Sequence, residues 1–400
     1  QRSGWMGWGG KEEGPFELAS LNACEQQLYL ERFFNEGIRC PEKLPGMRKL
    51  LSSNQALRRT CESPILLFFS CLLHGELALE GTLRRTDLYN LIRRRLFLGK
   101  WKGIVEPPTW ADGGVSESRV TDWLAEITLS LFRSRPETKM FSLREWDAAV
   151  SSPEAKEAAG ILDPPIRADA LLKDLLQCGF ILPVGRGSGD VPIYSFPHRS
   201  FLACLAGRAL SRRQPAVYQR VVIEHLWFQP AWEDVIRFLA GHLDEEAADG
   251  LLTVIRNEPE DIFRERLRWE WRIAGECVSL PPRWGEVWGE EAKSALFGIS
   301  ASNLSIFESL GGAAKVAPSS LDPLINSLNK VHEPRFSVRW NAIDALSDVG
   351  DERAIDALVS YKEFFYDYKE SGWGPTYALK NIGGARALDA LIKSLDPGYG

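Results

Sequence analysis

The chain has 400 residues, too many for one ordinary core, so about two to four domains are expected. With 44% hydrophobic and 26% charged residues it has the make-up of a folded globular protein, which excludes a largely disordered chain. A formal net charge of −6 argues against a general nucleic-acid binder. Its 7 cysteines are odd in number and no two are spaced as Cys-x-x-Cys, which disfavours a disulfide framework or a zinc site. They read as buried thiols in a reducing cytoplasm. The longest apolar stretch, Pro64 to Leu73, is too short for a membrane span, and no signal peptide opens the chain. Both ends read as cuts in a longer protein.

Gln1 to Gly14 is rich in Gly and Trp and reads as loop. Leu21, Leu28, Leu30, Phe33 and Phe34 recur at helical spacing, and a second helix is expected over Met47–Arg59. A third starts at Ser63, a good N-cap, with Pro64 at the first helical position. It is apolar nearly all round (Ile65, Leu66, Leu67, Phe68, Phe69, Leu72, Leu73) and is expected to be buried. Thr86 or Asp87 starts the next helix, whose Arg93–Arg95 run reads as a solvated face. Helices follow near Arg119–Phe132 and Ser142–Val150. Ser152–Pro165 reads as a linker, and Ala168–Gln177 as a helix ended by Gly179.

Two β-prone runs come next, Phe180 to Val184 and Val191 to Phe196, around the turn Gly185–Asp190. They read as a hairpin, and helices before a lone hairpin point to a winged-helix unit. A helix over Arg199–Ser211 follows directly. Trp232–Ala240, Ala247–Arg256, Ile262–Cys277 and Glu291–Phe297 are further helices. Trp269, Trp271, Trp284 and Trp288 read as core or groove lining.

The tail repeats. Ala345-Leu-Ser-Asp-Val-Gly350 corresponds to Ala378-Leu-Lys-Asn-Ile-Gly383, 33 residues on, and Ala354-Ile-Asp-Ala-Leu358 to Ala387-Leu-Asp-Ala-Leu391. Asp322-Pro-Leu-Ile-Asn-Ser-Leu328 is the second helix of a less regular copy. A helix ending in Val/Ile-Gly, a short turn and a second apolar helix make one unit of a two-helix solenoid.

This tail resembles HEAT repeats of the kind found in phycobilin-lyase-like proteins. Upstream, Tyr194-Ser-Phe-Pro-His198-Arg-Ser-Phe201 resembles the end of the winged helix in NACHT-type nucleotide-switched ATPases, although Leu202-Ala203 stands where Gln-Glu is usual. Ser63-Pro64-Ile65-Leu66-Leu67, Arg84 to Tyr89 and Trp232 to Gly241 resemble the family's other helical segments, in the family's order. Arg2-Ser3, Gly4-Trp5 and Phe16-Glu17-Leu18 resemble the stretch after its sensor strand.

The expected fold is therefore mainly α: a helical domain and a winged helix with one β-hairpin, then an α-solenoid of HEAT-like repeats. The expected division is a remnant of the nucleotide-binding domain edge (1–20), a helical domain (21–82), the winged helix (83–213), a second helical domain (214–298) and the repeats (299–400). No Gly-x-x-x-x-Gly-Lys-Ser/Thr loop occurs, and no catalytic or metal site is expected within the chain.

The resemblance implies three nucleotide-binding residues. His198, at a helix N-terminus whose free amides favour anions, would hold the β-phosphate of ADP. Pro64 would pack on the adenine, and Arg2 would read the terminal phosphate. ADP or ATP with Mg2+ is thus expected only in the full-length parent, a signalling ATPase of innate-immune type. A protein or ligand partner would sit on the concave face of the repeats, with self-oligomerisation on activation, no membrane and no nucleic acid. The alternatives are a HEAT-repeat interaction scaffold with no nucleotide role and a lyase-like handler of chromophores.

Overall fold

The computed structural model describes residues 20–53, 55–77, 84–97, 108–112, 114–226, 229–257, 269–288, 311, 314, 321–328, 336–361 and 374–394. The N-terminal helices are α1 (Ala23–Arg32), α2 (Leu44–Ser53), α3 (Gln55–Thr60), α4 (Pro64–Leu72), α5 (His74–Leu77) and α6 (Arg85–Phe97). Asn22 and Glu25 start α1 by bonding each other's backbone amides. The helix expected over Met47–Arg59 is described as α2 and α3, and residue 54 between them lies outside the described residues. The expectation that α4 is wholly buried is corrected. Its Leu66, Leu67 and Phe69 are buried, but Phe68 is 38% exposed, so one face lies on the surface.

The chain continues through α7 (Thr109–Asp112), α8 (Glu117–Ser134), β1 (Met140–Ser142), α9 (Leu143–Val150), α10 (Pro153–Gly160), α11 (Ala168–Gln177), β2 (Leu182–Arg186) and β3 (Pro192–Ser195). The hairpin β2–β3 gains a third antiparallel strand, β1, in the order β1-β3-β2, with Phe141 opposite Tyr194. Helices α8 to α11 thus surround a small three-stranded sheet closed by a hairpin. The expected linker Ser152–Pro165 is in fact helical over α10. Ser152 caps it through the Ala155 amide, Pro153 fits the first turn, and Ala and Glu favour the helix.

Next come α12 (Arg199–Ser211), α13 (Pro215–Leu226), α14 (Pro230–His242), α15 (Glu245–Asn257) and α16 (Trp269–Ala274). Of the expected helix Ile262–Cys277 only this last part is described, and Glu291–Phe297 lies outside the described residues. Trp271, Trp284 and Trp288 are buried, and the Trp284 indole donates to Asp249 at 2.7 Å.

The centre of this body is α12, packed between α8 and α14. The approach to α14 needs a residue without a side chain. A Cβ on Gly207 would lie 2.7 Å from the Leu239 amide nitrogen and 2.9 Å from the Val235 carbonyl oxygen. Phe201 on α12 is the hub of an aromatic cluster, with its ring centre 5.0 Å from Tyr89, 5.6 Å from Phe180 and 6.0 Å from Phe69. It thereby joins α4, α6 and the segment before β2 to one core.

Charged groups are buried around the same helix. Arg208 and Arg212 both pair with Asp122 on α8, and Arg213 pairs with Glu126. Arg93 is not on a solvated face as expected. It is 7% exposed and bonds Glu117 at 2.6 Å, while Arg94 stays at the surface.

The tail is the solenoid. Helices α17 (Leu321–Ser327), α18 (Phe336–Val349), α19 (Glu352–Ser360), α20 (Gly374–Ile382) and α21 (Gly384–Ser394) stack first helix on first helix (α18 on α20) and second on second (α17 on α19, α19 on α21). Gly350 and Gly383, at matching positions, end their first helices with φ of 64° and 69°, a left-handed turn that a side chain would strain. Helix α2 also touches α20 and α21, so the N-terminal helices reach the last described unit. The fold is mainly α throughout.

Candidate functional site

The junction of β3 and α12 is where the sequence placed its strongest candidate. Ser195 ends the strand, Phe196 is buried in the aromatic cluster, and His198 is the N-cap of α12 in an extended conformation. The Ser200 amide donates to His198 Nδ1 at 3.2 Å, and the Phe201 amide to the His198 carbonyl at 3.1 Å. Two of the amides expected to be free for an anion are therefore already engaged. With Nδ1 accepting, the proton of the neutral ring sits on Nε2, which remains a donor. Burial, followed by the positive charges of Lys139 and Arg85, holds the imidazole below its ordinary pKa against an opposing pull from Asp234. It is neutral at pH 7.

Three cations surround this helix end. Arg85 at the start of α6 bonds Asp234 of α14 at 2.7 Å and the Ser200 hydroxyl at 3.2 Å, with its guanidinium 4.7 Å over the Phe238 ring. Burial lifts the Asp234 carboxyl, but Arg85, with Arg237 and Arg199, more than offsets this and leaves it below the usual range. Arg199 donates to the carbonyls of Pro136 and Ala231 at 2.9 and 3.1 Å, and Lys139 to that of Pro197 at 3.4 Å. The Arg85–Ser200–Asp234 linkage was not singled out from the sequence. The only signal was Arg85 one turn before Tyr89 on a half-apolar helix.

Pro64 occupies the first turn of α4, preceded by Ser63, whose hydroxyl makes no capping bond. Its helix meets that of His198 through Phe69 and Phe201. Arg2 lies outside the described residues. The remaining histidines sit in structural settings where they are described. His242 Nε2 is 3.9 Å from the Cys204 sulfur, and His225 stacks on Trp232 at 4.1 Å. Burial pushes the Cys204 thiol up to about 12, so it is no thiolate nucleophile.

A shallow cleft of about 510 Å³ lies between the hairpin turn and α9, with Arg135, Arg144, Met140 and Ile193 in its wall. Arg135 is paired with Glu145 there. The helix before the hairpin, α11, exposes Asp169, Lys173 and Gln177, and Arg186 of the turn pairs with Asp190. Neither element carries the surplus of positive charge that a DNA backbone requires. Among the described residues no His, Cys, Asp and Glu group could hold a metal ion, and no helix is long and apolar enough to cross a membrane.

Compared with known protein families, the chain matches the PBS lyase HEAT-like repeat over residues 338–363, which is most of α18 and all of α19. No curated protein matches the chain. HEAT-like units build scaffolds for protein interaction, and the geometry of the tail agrees with that role.

Proposed function

We propose that the chain is an interaction scaffold, a solenoid that presents its stacked helices to a protein partner and is carried on the winged-helix body. The observation behind this reading is the unit-on-unit stacking of α17 to α21, within which α18 and α19 match a HEAT-like repeat. Cross-linking in a purified complex tests it. Partner cross-links should fall on Lys380 and Lys393 of the solenoid rather than on Lys156 and Lys173 of the body, all four being exposed. An even spread would count against the scaffold.

A second reading goes further and makes the scaffold the moving, sensing part of a nucleotide-switched signalling ATPase. It rests on one arrangement: a neutral imidazole with a free Nε2 donor, at a helix N-terminus, among Arg85, Arg199 and Lys139. In that reading the regions 21–82 and 83–213 close over a nucleotide held mainly by another domain, with His198 on its β-phosphate and Pro64 beside its base. Loss of the terminal phosphate would shift the balance between closed and open forms. In a protein that includes the nucleotide-binding core, His198→Ala should lower the amount of ADP that copurifies by about tenfold or more, as expected for one charge-assisted bond. Unchanged ADP content leaves the scaffold reading alone.

A further inference from the structure

Neither reading of the function uses the cleft between the hairpin turn and α9, whose volume of about 510 Å³ is that of a small-molecule site. The register of the sheet sets Ser142 of β1 opposite Ile193 of β3, so Met140, Ser142 and Ile193 share one face. Ile193 lies across the turn because position 187 has no side chain there: a Cβ on Gly187 would come within 2.9 Å of Ile193 Cδ1. Met140 is 40% exposed, and Val191 and Ile193 are half-buried, so this apolar wall is open to water. The charged groups of the wall are Arg135, Arg144 and Glu145. Glu145 is engaged, since its carboxylate accepts from the Ser142 amide at 2.6 Å, the Ser142 hydroxyl at 2.7 Å and Arg135 at 3.2 Å. Arg144 is exposed and has no acidic partner among the described residues. Two cations against one acid leave the wall with one positive charge in excess.

Strand β1 is an edge of the sheet, yet it is poorly suited to pairing with another chain. The Phe196 amide donates to the Lys139 carbonyl, so Lys139 and Phe141 turn their backbone groups toward β3, and Met140 and Ser142 turn theirs away. Those two outward amides are already taken, by Thr138 Oγ1 at 3.0 Å and by Glu145 at 2.6 Å, and an added strand would find no donor at either. Side chains are what the cleft offers. We propose that it binds a small monocarboxylic acid with a short apolar body, the carboxylate on Arg144 and the body against Met140, Val191 and Ile193. The planar fork of a guanidinium matches a carboxylate, and a single excess charge matches a single anion. Such a ligand bridges the hairpin turn and α9. The proposal is independent of both the scaffold and the nucleotide readings.

Saturation-transfer NMR on the intact chain tests this with two acids, phenylacetate and isovalerate, each beside its neutral amide, phenylacetamide and isovaleramide. The acids should bind with dissociation constants on the order of 1 mM, as suits so few heavy atoms. The amides should bind about tenfold more weakly or worse, since they have the same shape without the charge. Arg144→Gln should weaken the acids about tenfold. Met140→Glu sets an anion in the apolar wall and should abolish their binding. Arg133→Gln removes an exposed cation outside the wall and should change nothing, which separates the cleft from a general attraction of anions. All three positions are exposed, and circular dichroism checks that each variant folds. Binding of neither acid, equal binding of acids and amides, or a loss in Arg133→Gln as large as that in Arg144→Gln overturns the proposal.

Discussion

The body around α12 and the solenoid are both helical, yet they hold together differently. In the body one helix is shared by everything. Phe201 touches rings from α4, α6 and the segment before β2, Gly207 lets α14 approach to backbone contact, and Asp122 and Glu126 bind arginines about ninety residues away in sequence. In the solenoid each helix meets its neighbours in the stack, and the described ion pairs between units span 30 to 34 residues. The first region should fail as a whole and the second piece by piece.

The sharpest way to break this comparison is Gly207→Val. Its side chain would have to enter space held by backbone atoms of Val235 and Leu239. Neither atom can swing away as a side chain does, so the expected outcome is loss of the cooperative urea transition of the body, read by tryptophan fluorescence. Next come two matched truncations. Phe201→Ala should cost about 3–5 kcal/mol and Leu358→Ala about 2–5 kcal/mol, both side chains being fully buried. Amide hydrogen exchange separates them: Phe201→Ala should loosen α8, α12 and α14 together, and Leu358→Ala only α18 to α21. Global loosening in the second variant would erase the distinction.

Acid offers a gentler probe. Burial first, then Arg208 and Arg93, lower the His242 pKa from 6.5 to about 3. The unfolded chain takes up this proton near 6.5 and the folded chain does not, so stability should fall as pH drops from 6.5 towards 3, by at most about 1.4 kcal/mol per pH unit. In His242→Gln that part of the slope should vanish in denaturant titrations at pH 6.5 and 4.5, and an unchanged slope would remove His242 as its source. The smallest effect is expected in the solenoid's ladder. Arg386 is exposed, so Arg386→Ala should leave the urea midpoint essentially where it was.

The same contrast explains what could be read in advance. The solenoid was legible because its units repeat as text, down to Gly350 and Gly383. The hairpin was legible because β-branched and aromatic runs flank glycines. Strand β1 was not, since Met140-Phe141-Ser142 is too short to show alternation, and it exists because β3 offers it an edge. Arg93 looked like surface because two more arginines follow it, and nothing local announces Glu117. At the candidate site His198 could be placed at a strand-to-helix junction from sequence alone. Its capping bond to Ser200 is local, but the Arg85–Asp234 pair behind it depends on helices brought together over 149 residues.

The 33-residue repeat also has a mechanical side. Under tension, a stack held by neighbour contacts yields one unit at a time, and each unit releases roughly 110 Å of chain at about 3.4 Å per residue. The body, with its shared helix, would give way in a single larger step. Because α2 touches α20 and α21, that unit of the stack is tethered to the N-terminal helices. The first rupture in a pulling experiment would therefore report that tether before any unit opens. The stack is in that sense a spring clipped to the body at one of its coils.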